Sequence, residues 1–406
     1  MKPETAQSAE LIEEHLQKLS AWLVQAWVNG EDPGLIRSAL QEKNWLREKS
    51  ASSVEAVVSA HENDFLTADL DGDGADEWIL TLQTRGSGCT SGGELWIVND
   101  SGVIYELHPA GSGSFWGAPV TVFLTDMTGD GLPELVSKAI GCGAHTDLGM
   151  YHVLSSHHGK VENIVDPDND LDRAVEYLRT HDFSTTEEWD ETGISFPTPA
   201  EYLDDYNGDG LQDLHLRGGK FGSVGAGDVR QRTEIWAWDG RTITLIDVQP
   251  ESTDVRIHTL YDANLAFARC DYDKASTLYQ RAIHDDSLAT NGLFYSDRRD
   301  RPIVQVFSAF RLALISLTNG DLEGAEFWAD WLVENHPDEY ISDAADLLLE
   351  SWSLTGDLQE SCGSVTEYLR GIEEQEDILS VTGALCDTGY AIKCLRAADV
   401  CPIIKE

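Results

Sequence analysis

The segment Asp69-Leu70-Asp71-Gly72-Asp73-Gly74-Ala75-Asp76-Glu77 runs straight into the apolar strand Trp78-Ile79-Leu80-Thr81-Leu82. Two more copies of this design follow. Asp126-Met127-Thr128-Gly129-Asp130-Gly131-Leu132-Pro133-Glu134 and Asp205-Tyr206-Asn207-Gly208-Asp209-Gly210-Leu211-Gln212-Asp213 each precede another apolar run. The shared form is an acidic nine-residue loop with Gly at positions 4 and 6 and a carboxylate at positions 1, 5 and 9. One such loop would pass as an Asp/Gly hairpin turn. Three in the same strand context call for a common chemistry.

That chemistry is capture of a hard cation. Calcium takes six to eight oxygen ligands at about 2.3–2.6 Å. A tight loop can turn the side chains of positions 1, 3, 5 and 9 inward and add the carbonyl of position 7, and a Gly at position 6 permits the left-handed turn this requires. So many carboxylates within nine residues would otherwise repel one another. An EF-hand begins similarly but needs a bidentate Glu at position 12. Here position 12 is Leu80, Ser137 and Leu216, so EF-hands and their dockerin relatives are disfavoured.

A nine-residue loop leading directly into a strand resembles the FG-GAP calcium loops of integrin-type β-propeller blades. Phe115-Trp116-Gly117-Ala118-Pro119 is similar to a degenerate form of that family's Phe-Gly…Gly-Ala-Pro signature, and the resemblance covers residues 60–250. It implies about three Ca²⁺ ions. The first would be held by Asp69, Asp71, Asp73, Glu77 and the Ala75 carbonyl. The second would be held by Asp126, Thr128, Asp130, Glu134 and the Leu132 carbonyl. The third would be held by Asp205, Asn207, Asp209, Asp213 and the Leu211 carbonyl. Thr128 puts a hydroxyl where the other loops have a carboxylate or an amide, and Pro133 stiffens the exit, so the second site is expected to be the weakest. The loops start 57 and 79 residues apart, which leaves room for about three blades, where closed propellers use four to eight. A partial propeller is the expectation. Cys89 and Cys142 fall at similar places in neighbouring repeats, which suggests a bridge between blades.

The regions around this β-domain are helical. Leu11, Leu16, Leu19, Leu23, Val24 and Trp27 recur at three-to-four spacing, giving an N-terminal helical segment over residues 1–52. The β-domain spans 53–252, with an acidic insertion at 166–200, and residues 253–406 read as helical with a Cys-rich tail. Asp271-Tyr272-Asp273-Lys274-Ala275, Gly320-Asp321-Leu322-Glu323-Gly324-Ala325 and Gly356-Asp357-Leu358 each open a helix, with a stretch at 286–301 inserted in the array. These segments resemble tetratricopeptide (TPR) repeats. The resemblance implies a solenoid of helix pairs in which Ala263 meets Ala275, Ala313 meets Ala325, and Ser361 takes the small-residue place in the third copy. The fold expected is therefore α+β and multidomain: a propeller-like calcium-binding β-domain followed by a TPR-like α-helical solenoid.

The chain has 406 residues and a formal net charge of −44, from 28 Lys and Arg against 72 Asp and Glu. Such a charge excludes sequence-independent nucleic-acid binding, which rests on cations meeting phosphates, and it disfavours anionic membranes. No apolar run suggests membrane insertion. Met1-Lys2-Pro3-Glu4-Thr5 leads into polar sequence rather than a secretory leader, so secretion implies a signal removed before this numbering. Of the seven Cys, four fall in the last 45 residues without the paired spacing of a zinc site, which points to a disulfide-tied C-terminus. Cys270, within a helical repeat, reads as a small core residue.

No nucleophile elbow, zincin helix, P-loop or strand-framed dinucleotide loop is present in the sequence. Gly218-Gly219-Lys220 lacks a P-loop frame, and His145, His157 and His158 stand outside any triad or ligand spacing. The expectation is an extracellular or cell-surface, non-enzymatic calcium-binding protein whose helical repeats contact a protein partner or another copy of itself, with rings or filaments as one outcome. The alternative is a calcium-dependent carbohydrate-binding module with Trp116, Trp236 and Trp238 as sugar platforms. A polysaccharide-acting extracellular enzyme is a more distant third.

Overall fold

The computed structural model describes residues 18–42, 65–83, 93–107, 117–143, 146–157, 160–166, 193–197, 200–219, 230–252, 254–289, 297–375 and 397–402. The chain is α+β and divides into two compact units. The first comprises Met1–Asn169, Thr186–Gly218 and Thr233–Asp247, and the second comprises Asp170–Thr185, Gly219–Arg232 and Val248–Glu406.

The first unit is built on three antiparallel meanders. The first sheet runs β1 (Phe65–Ala68), β2 (Glu77–Gln83), β3 (Gly93–Asn99) and β4 (Gly102–Leu107) in that order. The second runs β5 (Val120–Thr125), β6 (Glu134–Gly143), β7 (Thr146–His157) and β8 (Lys160–Asn163), with β9 (Ile194–Pro197) pairing the other half of β7. The third runs β10 (Ala200–Asp204), β11 (Asp213–Gly218), β12 (Arg232–Trp238) and β13 (Ile243–Pro250). In each sheet the acidic loop joins the first strand to the second. The stretch read as an insertion contributes β9 and the start of β10, and residues 167–192 lie outside the described set.

Strand β2 shows why these runs are apolar almost without interruption: both of its faces are covered. Trp78, Leu80 and Leu82 pack with Phe65, Trp96 and Val98 against helical residues 18–28 (α1) and Pro33–Glu42 (α2), through Leu19, Leu23, Ala26, Ile36 and Leu40. Ile79 points the other way and joins Leu95, Ile97 and Leu107 against Leu135, Leu154 and Val161 of the second sheet.

Polar links cross between sheets at matching places. Thr81, thirteenth from Asp69, donates its hydroxyl to the Pro119 carbonyl at 2.9 Å. Lys138, thirteenth from Asp126, pairs with Glu201 of the third sheet at 2.8 Å, and the Tyr151 hydroxyl donates to the same carboxylate at 2.9 Å. The exit of the second sheet then reaches the last strand of the third, where the Ile243 amide donates to the Ile164 carbonyl at 2.7 Å.

In the second unit, helices follow one another as α3 (Arg256–Ala268), α4 (Tyr272–His284), α5 (Asp297–Thr318), α6 (Leu322–Asn335), α7 (Tyr340–Thr355), α8 (Leu358–Gln375) and the short α9 (Ala397–Val400). Three of them begin alike. Asp271 accepts from the Lys274 amide at 3.2 Å, Asp321 from the Gly324 amide at 2.9 Å, and Asp357 from the Gln359 amide at 2.8 Å, each satisfying a first-turn donor. Four residues after each cap stands a fully buried small residue: Ala275, Ala325 and Ser361.

Residues Arg301–Thr318 of α5 have the length and composition of a membrane span, but 67% of the stretch is buried as the core of this unit. Its Arg311 lies against the rings of Phe267 and Phe307, with the guanidinium carbon 4.4 and 5.1 Å from their centroids, and donates to the Asp399 carbonyl at 2.6 Å. The Cys362–Cys401 disulfide ties the C-terminal turn to α8. Cys270 departs from the core expectation. It is an exposed free thiol at φ 58°, just past the C-terminus of α3, where the chain needs a left-handed residue to turn toward α4.

Candidate metal centre

The three loops fold by one hydrogen-bond scheme. The carboxylate at position 1 caps the turn twice. Asp69 accepts from the Gly72 and Gly74 amides at 2.8 and 3.0 Å, Asp126 from Gly129 and Gly131 at 2.7 and 3.0 Å, and Asp205 from Gly208 and Gly210 at 2.8 and 3.0 Å. Position 5 then accepts from the amide of position 7: Asp73 from Ala75 at 2.7 Å, Asp130 from Leu132 at 2.8 Å, and Asp209 from Leu211 at 2.8 Å. The acid at position 9 closes the ring from the following strand. Glu77 accepts from the Leu70 amide at 2.8 Å, Glu134 from Met127 at 2.7 Å, and Asp213 from Tyr206 at 2.9 Å. The Gly at position 6 is left-handed in each copy, with φ of 88° at Gly74, 89° at Gly131 and 90° at Gly210.

Position 9 is also the buried end of each loop. Glu77, Glu134 and Asp213 are each 1% exposed. Burial drives the Glu77 carboxyl up to about 7, with Asp71 and Asp73 adding repulsion and the Leu70 amide opposing both. Burial likewise raises the Glu134 and Asp213 carboxyls from their ordinary values. A cation would offset the cost of holding these groups charged.

The loops differ in where the remaining oxygens go. In the first, Asp69, Asp71 and Glu77 each present an oxygen within 4.8 Å of the others. Asp73 stands outside that trio, with Oδ1 on the Ala75 amide. In the second, Glu134 Oε1 is met by the Ser155 hydroxyl at 3.0 Å and the Thr128 hydroxyl at 3.3 Å, which puts neutral donors around the closing acid where the first loop gathers carboxylates. In the third, Asn207 and Asp209 are paired twice. The Asn207 side-chain amide donates to Asp209 Oδ2 at 2.9 Å, and the Asp209 backbone amide donates to Asn207 Oδ1 at 2.9 Å, the second bond matching that of the Asp73 amide to Asp71 Oδ1 in the first loop at 3.1 Å. Ser155 lies on β7 and carries no loop signature, so nothing local in the sequence marks it.

Trp236 is buried, with its indole donating to Glu234 at 3.3 Å, and so offers no platform to a sugar. Trp96 and Glu94 make the same contact in the first sheet, at 2.8 Å. Trp238 is half-buried. Trp116, His145, His158, Lys220 and Cys89 lie outside the described residues, as do the side chains of His157 and Cys142, so the Cys89–Cys142 pairing does too. No family model matches the chain, and no curated protein or solved structure matches it.

Proposed function

We propose that this chain is a secreted or surface-displayed calcium-binding contact protein without enzymatic activity. Each acidic loop holds one Ca²⁺ through the ligand set given above. The three sheets form a partial propeller of the FG-GAP kind, rigidified by the ions. The second unit is a TPR-like solenoid whose helix pairs meet a partner protein or another copy of the chain.

The observation that carries this reading is the recurrence of one hydrogen-bond scheme in three loops, each ending in a buried carboxylate, with Asp69, Asp71 and Glu77 oxygens converging to within 4.8 Å in the first. Side chains that organise their own loop before the ion arrives reduce the entropy lost on binding.

Calorimetric titration of the full chain with Ca²⁺ tests it. About three ions should bind, and the number should fall by one in Glu77→Gln. Heat indistinguishable from buffer dilution at millimolar Ca²⁺ would remove the calcium role. Sedimentation with and without a chelator tests self-assembly, which a monodisperse monomer in both conditions would sink.

A further inference from the structure

From Leu312 to Leu369 the chain has no lysine or arginine and carries 13 Asp and Glu. Elsewhere the acid excess can be dispersed over solvated surface; here it frames aromatic surface. Phe327 is 58% exposed, and Leu322 and Val333 on the same helix are 48% and 42% exposed. The Phe327 ring lies 5.1 Å from Trp328, Trp328 lies 6.1 Å from Trp331, and Trp331 lies 5.4 Å from His336. His284 of α4 sits 6.3 and 6.4 Å from the two indoles. Both tryptophans are half-buried and pack on the helical core, so the cluster is anchored at one end and open at the other.

Helical spacing sets the collar. Glu323, Asp330 and Glu334 stand four before, three after and seven after Phe327, on one face of α6, and all three are exposed. Across on α7, burial raises the Asp346 carboxyl, and Asp343 and Asp330 raise it further, so like charges of two helices repel beside the cluster.

We propose that this face of α6 docks a cationic amphipathic segment of a partner protein, with its Lys or Arg side chains on Glu323, Asp330 and Glu334 and an apolar or guanidinium group on Phe327 and Trp328. The proposal deepens the contact role given to the second unit and rests on that part of the reading alone. Arginine suits such a face because its planar cation both pairs with carboxylates and stacks on aromatic rings. A second copy presenting the same face would bring carboxylates together, which disfavours a symmetric self-contact.

The test uses the full-length protein and fluorescence anisotropy of short synthetic peptides. One alternates arginine with leucine, one is arginine alone, and one alternates glutamate with leucine. The arginine–leucine peptide should bind most tightly and the glutamate–leucine peptide not at all. Phe327→Ala should weaken binding about tenfold. Combined Glu323→Gln, Asp330→Asn and Glu334→Gln should weaken it at least as much and flatten its salt dependence. Asp100→Asn with Glu106→Gln, in the β3–β4 turn and on β4, should leave it unchanged. Equal affinity in all variants, or equal loss in the distal pair, would mean diffuse attraction to an acidic protein and overturn the proposal. Self-association abolished by the α6 substitutions, with no peptide binding, would overturn it as well. Circular dichroism and Ca²⁺ uptake of the same variants should match wild type, so failure at this face is separable from failure of the calcium reading.

Discussion

Leu132 rests on Gly72. A Cβ placed on Gly72 would meet Leu132 Cδ2 at 3.2 Å, and Leu211 stands in the same relation to Gly129, at 3.1 Å. Position 7 of one loop thus covers position 4 of the loop before it. The row ends at Gly208, whose added Cβ would meet nothing within 4 Å.

This arrangement separates two effects that are usually mixed. Gly129 and Gly208 share a left-handed conformation, with φ of 80° and 78°, so an added methyl is equally strained in the backbone at both. Only at Gly129 does it also collide with a packed leucine. Gly129→Ala should therefore destabilise more than Gly208→Ala, by roughly 1 kcal/mol or more. Urea unfolding with unchanged slope measures the difference, and equal midpoints would mean that the leucine moves aside freely.

The loops should rank in calcium affinity with the second one last. Glu134 Oε1 already has two hydroxyl donors, from Ser155 and Thr128, and Thr128 brings no charge of its own. Of the substitutions Glu77→Gln, Glu134→Gln and Asp213→Asn, the change at Glu134 should reduce calcium-dependent stabilisation least. At a free concentration of about 100 times Kd, each filled site should add roughly 2.7 kcal/mol, lost on chelation. Thermal melts with and without chelator provide the readout.

Glu201 holds two partners in a closed environment. The side chains of Lys138 and Glu201 are 8% and 3% exposed, and Tyr151 donates to the same carboxylate. Glu201→Gln leaves the lysine without its counter-charge and should cost about 3 kcal/mol in unfolding free energy. Lys138→Met combined with Glu201→Gln should recover part of that loss. A single Glu201→Gln as stable as wild type would show that the pair contributes little.

Asp285 should titrate far below an ordinary aspartate. Hydrogen bonds from the Ser287 hydroxyl and amide, then from Arg281, hold it down from 3.8 to about 2. The folded carboxylate is the weaker base, so the unfolded chain takes up the proton first as pH falls. The stabilisation is complete above about pH 4 and disappears as pH falls through about 2. Carbon-detected NMR titration should place the midpoint there, and Ser287→Ala should move it up toward the ordinary value.

The sequence disclosed what is local. The loops were legible because every bond that folds them lies within nine residues, and Asp, Gly and the closing acid stand at fixed spacing. The helix starts at Asp271, Asp321 and Asp357 were legible for the same reason. Contacts between distant segments were not. Nothing near Gly72 announces Leu132, sixty residues on, and Glu201, the first residue past the stretch that reads as an insertion, supplies the partner of Lys138. Trp236 reads equally well as a surface platform or a core ring, and only the neighbouring sheets decide that it is buried. The side chain of Cys270 reads as a core residue, but its exposed place follows from the left-handed backbone that turns the chain there.

The three sheets also have an order in time. The first occupies residues 65–107, the second 120–197 and the third 200–250, so each completes its pairing before the next begins. A chain leaving the ribosome can close them one by one, without holding an early strand open for a late partner. The exposed moment comes between the first and second. Until Leu135 and Leu154 emerge, the face carrying Ile79, Leu95 and Ile97 has nothing to cover it. A nascent chain halted in that interval leaves this apolar face open to aggregation.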